Sequence, residues 1–273
     1  LIVATREGQP CGFAHAGFGP TVDETGVSTD VGVVTMVMVH ADVEQRGDGA
    51  KLAAELLARS EAYLAERGAR VVYGGGIRPH DPFYLGLYGG SELPGILESD
   101  AAAQAYYRDA GYAEVDQVVV LQCDLTRIRP VTNRTQIALR RQLEVHVTQD
   151  PPPATWWQAA TIGGFDRTRF DLAPRGGGIA LATAAIWRIE PIALTWGLTA
   201  AGLINLSVVE GRRRQGLATF LLGETFRQLR AGGITLVEAQ IGEDNTAAMG
   251  LYQRLGFTDV DRGSVFRREM AGS

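Results

Sequence analysis

A chain of 273 residues, 45% hydrophobic and 21% charged, has the composition of a soluble globular protein with room for one large domain or two ordinary ones. Its net charge of −5 and pI near 5.5 argue against a general nucleic-acid footprint. Two cysteines, Cys11 and Cys123, are too few for a disulfide framework and lack metal-ligand spacing, so no metal is expected. No apolar run approaches the ~20 residues that span a bilayer, and no signal peptide is visible. The expected setting is therefore the cytoplasm, with neither membrane nor nucleic acid as partner.

The chain opens at Leu1 already inside a strand-like run, 1–5, which points to residues upstream. Strands are predicted at 11–19 and 33–39, then a helix over 51–67 with Leu52, Leu56, Leu57 and Leu64 on one face and Gly68 as its stop. A strand at 69–77 is followed by a long Gly/Pro/aromatic loop, 78–97, containing His80, Phe83, Tyr84 and Tyr88. A helix over 99–111 leads to a strand ending near Leu125. The polar stretch 126–136 reads as a linker, which divides the chain into 1–126 and 127–273. Beyond it, strands are predicted at 138–147, 169–174, 179–190, 203–209 and 234–241, with a terminal strand last. Helices are predicted near 154–161, from the glycine turn at 216 to about Arg230, and over 245–256.

The two halves can be laid on each other. Gly47-Asp48-Gly49 matches Gly216-Leu217-Ala218 at an offset of 169, and Tyr107 matches Tyr252 at an offset of 145. The first half carries about 24 more residues between these points, the size of its aromatic loop. A repeat this long means duplicated domains rather than a solenoid.

Chemistry concentrates in two places in the second half. Arg212, Arg213, Arg214 and Gln215 run into Gly216-Leu217-Ala218 and then a helix. Small residues at 216 and 218 let a ligand approach the main chain, and a helix start offers unpaired N–H groups with partial positive charge. That combination suits a pyrophosphate. Directly after the next strand, Asn245, Ala248, Leu251, Tyr252, Gly256 and Phe257 form N-x-x-A-x-x-L-Y-x-x-x-G-F, with Ala248, Leu251 and Tyr252 on one helical face.

This pair of motifs, at this separation, resembles the GNAT superfamily of N-acetyltransferases. The resemblance covers nearly the whole chain as two copies, similar in architecture to mycothiol synthase, although no residue singles out that substrate. It implies two mixed α/β domains, each a central, mostly antiparallel sheet flanked by helices. It implies acetyl-CoA as co-substrate, its pyrophosphate on Arg213, Arg214, Gln215, Gly216, Leu217 and Ala218, with Asn245 and Tyr252 on the following helix. The pantetheine arm would pair with Ser207, Val208 and Val209 on the preceding strand. A small-molecule amine would attack the thioester directly, and the departing thiolate would take a proton from Tyr252.

Candidate bases for the amine are Glu210, at the end of the apolar strand, and Glu238, in mid-strand. Either carboxylate reads equally as the solvent-facing half of an alternation. Trp156, Trp157, Trp187 and Trp196 read as an acceptor pocket or as core. The first copy departs from the pattern, with Glu44 where the second has Arg213, Asp48 between its glycines and Asp100 in place of Asn245. It reads as degenerate, kept for packing, for walling the acceptor site or for regulation. The rival readings are a non-catalytic acyl-CoA sensor on the same fold, and an enzyme using a longer acyl-CoA.

Overall fold

The computed structural model describes residues 1–76, 78–80, 90–129, 131–189 and 197–270. Phe83, Tyr84, Tyr88 and Trp196 lie outside the described residues. The first half supplies β1 (Ile2–Arg6), β2 (Gln9–Pro20), β3 (Val27–Val39), α1 (Ala41–Gln45), α2 (Gly49–Ala65), β4 (Val71–Gly74), β5 (Ile96–Leu97), α3 (Ala101–Asp109) and β6 (Ala113–Asp124). The second supplies α4 (Arg134–Gln142), β7 (Leu143–Gln149), α5 (Trp156–Thr161), β8 (Arg167–Pro174), β9 (Ala182–Arg188), β10 (Ala200–Val208), α6 (Leu217–Ala231), β11 (Leu236–Gly242), α7 (Thr246–Arg254) and β12 (Thr258–Glu269). The class is mixed α/β, as the sequence implies. No helix among the described residues is long and apolar enough to cross a membrane.

The strands form one mixed 12-stranded sheet, in the order β1-β2-β3-β4-β12-β6-β11-β10-β9-β8-β7, with β5 on β12. Its centre is an exchange. The closing strand of the first half, β6, pairs antiparallel with β11 of the second, and the closing strand of the second, β12, pairs antiparallel with β4 of the first. The two exchanged strands pair with each other. Period-2 alternation carries the consequence into the cores. Val119, Leu121 and Cys123 of β6 enter the core under α6 and α7, whereas Phe266 of β12 enters the core under α2 and α3.

One predicted element is corrected. Residues 138–147 were expected as a strand, but the chain is helical over Arg134–Gln142 and extended only from Leu143. The helix starts because Asn133 Oδ1 accepts the Gln136 amide at 2.9 Å, an N-cap inside what reads as linker. The pair Asn133…Gln136 has the spacing of a capping box, and that was the available signal.

Phe266 is fully buried and stacks on Tyr107 at 5.7 Å. Phe266→Ala should cost about 3–5 kcal/mol. All four tryptophans lie in the second half, so the fluorescence-detected denaturant midpoint should fall although the cavity opens in the first-half core. An unmoved tryptophan transition would show that the halves unfold separately.

Candidate active site

Each half contains one parallel strand pair that parts partway. In the second half β10 and β11 pair from Ala200↔Leu236 to Leu203↔Ala239 and no further. Ile204 is the extra residue of a bulge against β9, and the bulge turns the rest of β10 aside. In the first half β3 and β4 pair only as far as Val34↔Gly74, and Thr35 is the bulged residue. The gap is thus built twice by the same device.

Main-chain alternation decides which groups of β10 face the gap. The Val209 N–H donates to Leu181 O at 3.0 Å, toward β9. Antiparallel pairing repeats every two residues, so Ser207 turns the same way and Leu206 and Val208 turn to the open side. Of the three strand positions expected from the sequence, Val208 alone presents its main chain to the gap. Its companion, Leu206, was not singled out, although the two-residue period was the signal for it.

Beyond β10 the chain makes a short 3-10 turn over Glu210–Arg212 and enters α6 through Gly216, at φ 80°. This is the left-handed region that favours glycine. Gly216 offers no side-chain cap, so the first-turn amides have no intrahelical partner. Arg212, Arg213 and Arg214 are exposed, and among the described residues none of them forms an ion pair. The matching turn of the first half has the same backbone, with Gly47 at φ 81°. There the Glu44 carboxylate lies against the first turn of α2, where a Cβ on Gly49 would collide with it, and Tyr106 Oη donates to that carboxylate. Burial, then the bond to Glu44, pushes the Tyr106 phenol up.

The two matching tyrosines differ. Tyr107 is fully buried and its Oη donates at 3.1 Å to Val34 O, the last ladder carbonyl before β3 and β4 part, which also accepts the Gly75 N–H. Its ring lies over Gly74, where a Cβ would collide with it. At the equivalent end of the second ladder stands Ala239, which carries a Cβ. Tyr252 is 5% exposed and packs on Phe257 at 5.0 Å. Burial, and secondly the charge of Glu92, push its phenol up and keep it protonated at neutral pH. Asn245 caps α7 by accepting the Ala248 amide at 3.1 Å, and Asp100 caps α3 in the same way at 3.0 Å.

Glu210 is exposed at the start of the 3-10 turn. Glu238 is not the solvated half of an alternation, being 2% exposed. Its Oε1 accepts the Ser91 amide at 2.6 Å and its Oε2 accepts Gln122 Nε2 at 3.0 Å. Burial raises the Glu238 carboxyl, and these bonds oppose the rise. Trp187 is buried and donates to Ser91 O, and Trp157 is buried in α5 beside a half-exposed Trp156.

Residues 138–257 match the model of the acetyltransferase (GNAT) family. That match spans most of the second half of the chain, and it makes the protein an acyltransferase. The fold of the whole chain is similar to a tandem GNAT protein from the clavulanic acid biosynthesis pathway, with 15% identity, a TM-score of 0.68, and coverage of 99% of this chain and 82% of that one. A glucosamine N-acetyltransferase region in a fungal multi-domain GH3 β-N-acetylglucosaminidase matches at 15% identity and TM-score 0.66, over 96% of this chain and 32% of that one. A GCN5-related N-acetyltransferase from Sphaerobacter thermophilus matches at 18% identity and TM-score 0.59, over 98% and 79%. At these identities the likeness is one of fold. No curated protein matches the chain.

A Cβ on Gly216 would come within 3.1 Å of Gln136 Nε2, on a backbone that side chains rarely adopt. Gly216→Val should cost about 1–3 kcal/mol, read as a lowered thermal midpoint. Tyr107→Phe should cost about 1 kcal/mol, since it strips one buried hydrogen bond and leaves the packing.

Proposed function

We propose that the second half transfers an acetyl group from acetyl-CoA directly to a primary amine of a small acceptor. The observation that carries this reading is the contrast between the halves. The second has a helix start without a side-chain cap, arginines with no ion pair among the described residues and a strand ladder that ends after four pairs, whereas the first sets Glu44 against the matching helix start and Tyr107 Oη on Val34 O. The residues present fit the co-substrate. The amides at Leu217 and Ala218, with Arg213, Arg214 and Gln215, would hold its pyrophosphate. The main chain of Leu206 and Val208 would pair with the pantetheine arm.

The acceptor ammonium first gives one proton to solvent. As the free amine attacks, the C–N bond forms, the C–S bond breaks, the thiolate takes the proton of Tyr252, and the proton shed by the new amide nitrogen restores the phenol by way of solvent. Asn245 serves this arrangement by starting the helix that carries Tyr252. The first half serves it by supplying β6, without which β11 would be an open edge.

Calorimetric titration with acetyl-CoA should give one site per chain, and Gly216→Val should abolish it. Tyr252→Phe should lower kcat on the order of 100- to 10,000-fold with little change in acetyl-CoA affinity, whereas Tyr107→Phe should leave kcat unchanged. Two sites per chain would return the first half as a catalytic candidate. Folded protein that binds no acetyl-CoA would remove the reading.

A further inference from the structure

We propose that Glu92, a residue of the first half, holds the acceptor's ammonium group in the active site of the second half, and that Glu238 fastens the segment presenting it. The inference rests on the acetyltransferase reading above. Leu203, Val237, Ala239 and Ile241 point into the core under α6 and α7. By alternation, Gly202, Glu238 and Gln240 point to the opposite face of the sheet. There, where the β10–β11 ladder ends, the segment Gly90–Glu92 crosses both strands.

The crossing is fastened at Ser91 and Glu92. The Ser91 N–H donates to Glu238 Oε1 at 2.6 Å, and Ser91 O accepts Trp187 Nε1 at 2.8 Å. Gln240 Nε2 donates to Glu92 O at 2.9 Å. Gly90 lies so near Glu238 that a Cβ would collide with its carboxylate, and a Cβ on Gly202 would come within 2.8 Å of Ser91 Cα. A carboxylate buried in mid-sheet costs desolvation, and here it organises three donors, from Ser91, Gln122 and Gln240. Glu238 is therefore a positioning residue, committed to holding a peptide.

That peptide ends in a carboxylate beside the gap. The Glu92 side chain is 16% exposed and pairs with Arg78 Nη2 at 2.7 Å, and Arg78 is itself 47% exposed. Gln240, which holds the Glu92 main chain, is the first residue of β11 past the last pair of the β10–β11 ladder, and this sets Glu92 at the opening of the gap. An ammonium group, with its compact charge and N–H donors, takes the same carboxylate that Arg78 holds, and the exposed guanidinium can yield to it.

The test measures coenzyme A release from acetyl-CoA with spermidine, glucosamine and lysine as acceptors, using the intact chain. Glu92→Gln should raise KM for the amine used on the order of 10- to 100-fold, and Arg78→Gln, which removes the competing guanidinium, should lower it. Neither should move acetyl-CoA affinity in calorimetry. The proposal is overturned if Glu92→Gln leaves the amine KM unchanged or if both variants shift it in the same direction. It is equally overturned if a protein that binds acetyl-CoA acetylates none of the three amines. Failure of the wild-type chain to bind acetyl-CoA would instead remove the underlying reading, and this proposal with it.

Discussion

The second half depends on two parallel strands that stop pairing after four residues. Past Leu203 and Ala239 the main-chain groups on the facing edges of β10 and β11 have no partner in each other. Buried main-chain groups without partners are costly, so such a gap persists only if something else satisfies it. In the first half the Tyr107 hydroxyl adds a second donor at Val34 O, which already accepts the Gly75 N–H. In the second the gap stays open, beside a helix start that is likewise uncapped. On the proposed reading, both would meet the co-substrate.

Small substitutions separate the two halves. Gly74 admits the ring of Tyr107, and the matching ladder position of the second half is Ala239. Glu44 replaces an arginine and becomes an internal anion on its own helix, clasped by Tyr106. The turn itself has not drifted, since Gly47 and Gly216 share one left-handed conformation. The duplicated backbone was kept while its side chains were turned inward.

What ties the halves together is the exchange of closing strands, which gives each core residues from the other's sequence. It also brings the 90–92 segment of the first half across the sheet of the second. The first half thereby contributes to the gap of the second. This is why Glu238 and Ser91, 147 positions apart, share a hydrogen bond.

The repeat, the glycine turn and the tyrosine helix were legible in the sequence because each is local. A left-handed turn demands glycine, a helix start demands a cap, and a helical face shows in its spacing. The N-terminal part of the second half was misread where Asn133 caps a helix inside an apparent linker, since the period-2 run after it spoke louder. The burial of Glu238, the partner of each closing strand and the opposite fates of Tyr107 and Tyr252 belong to the tertiary structure. Alternation names the face a side chain takes but not what covers that face. Matching tyrosines diverge in what surrounds them, and those surroundings are contributed by other strands.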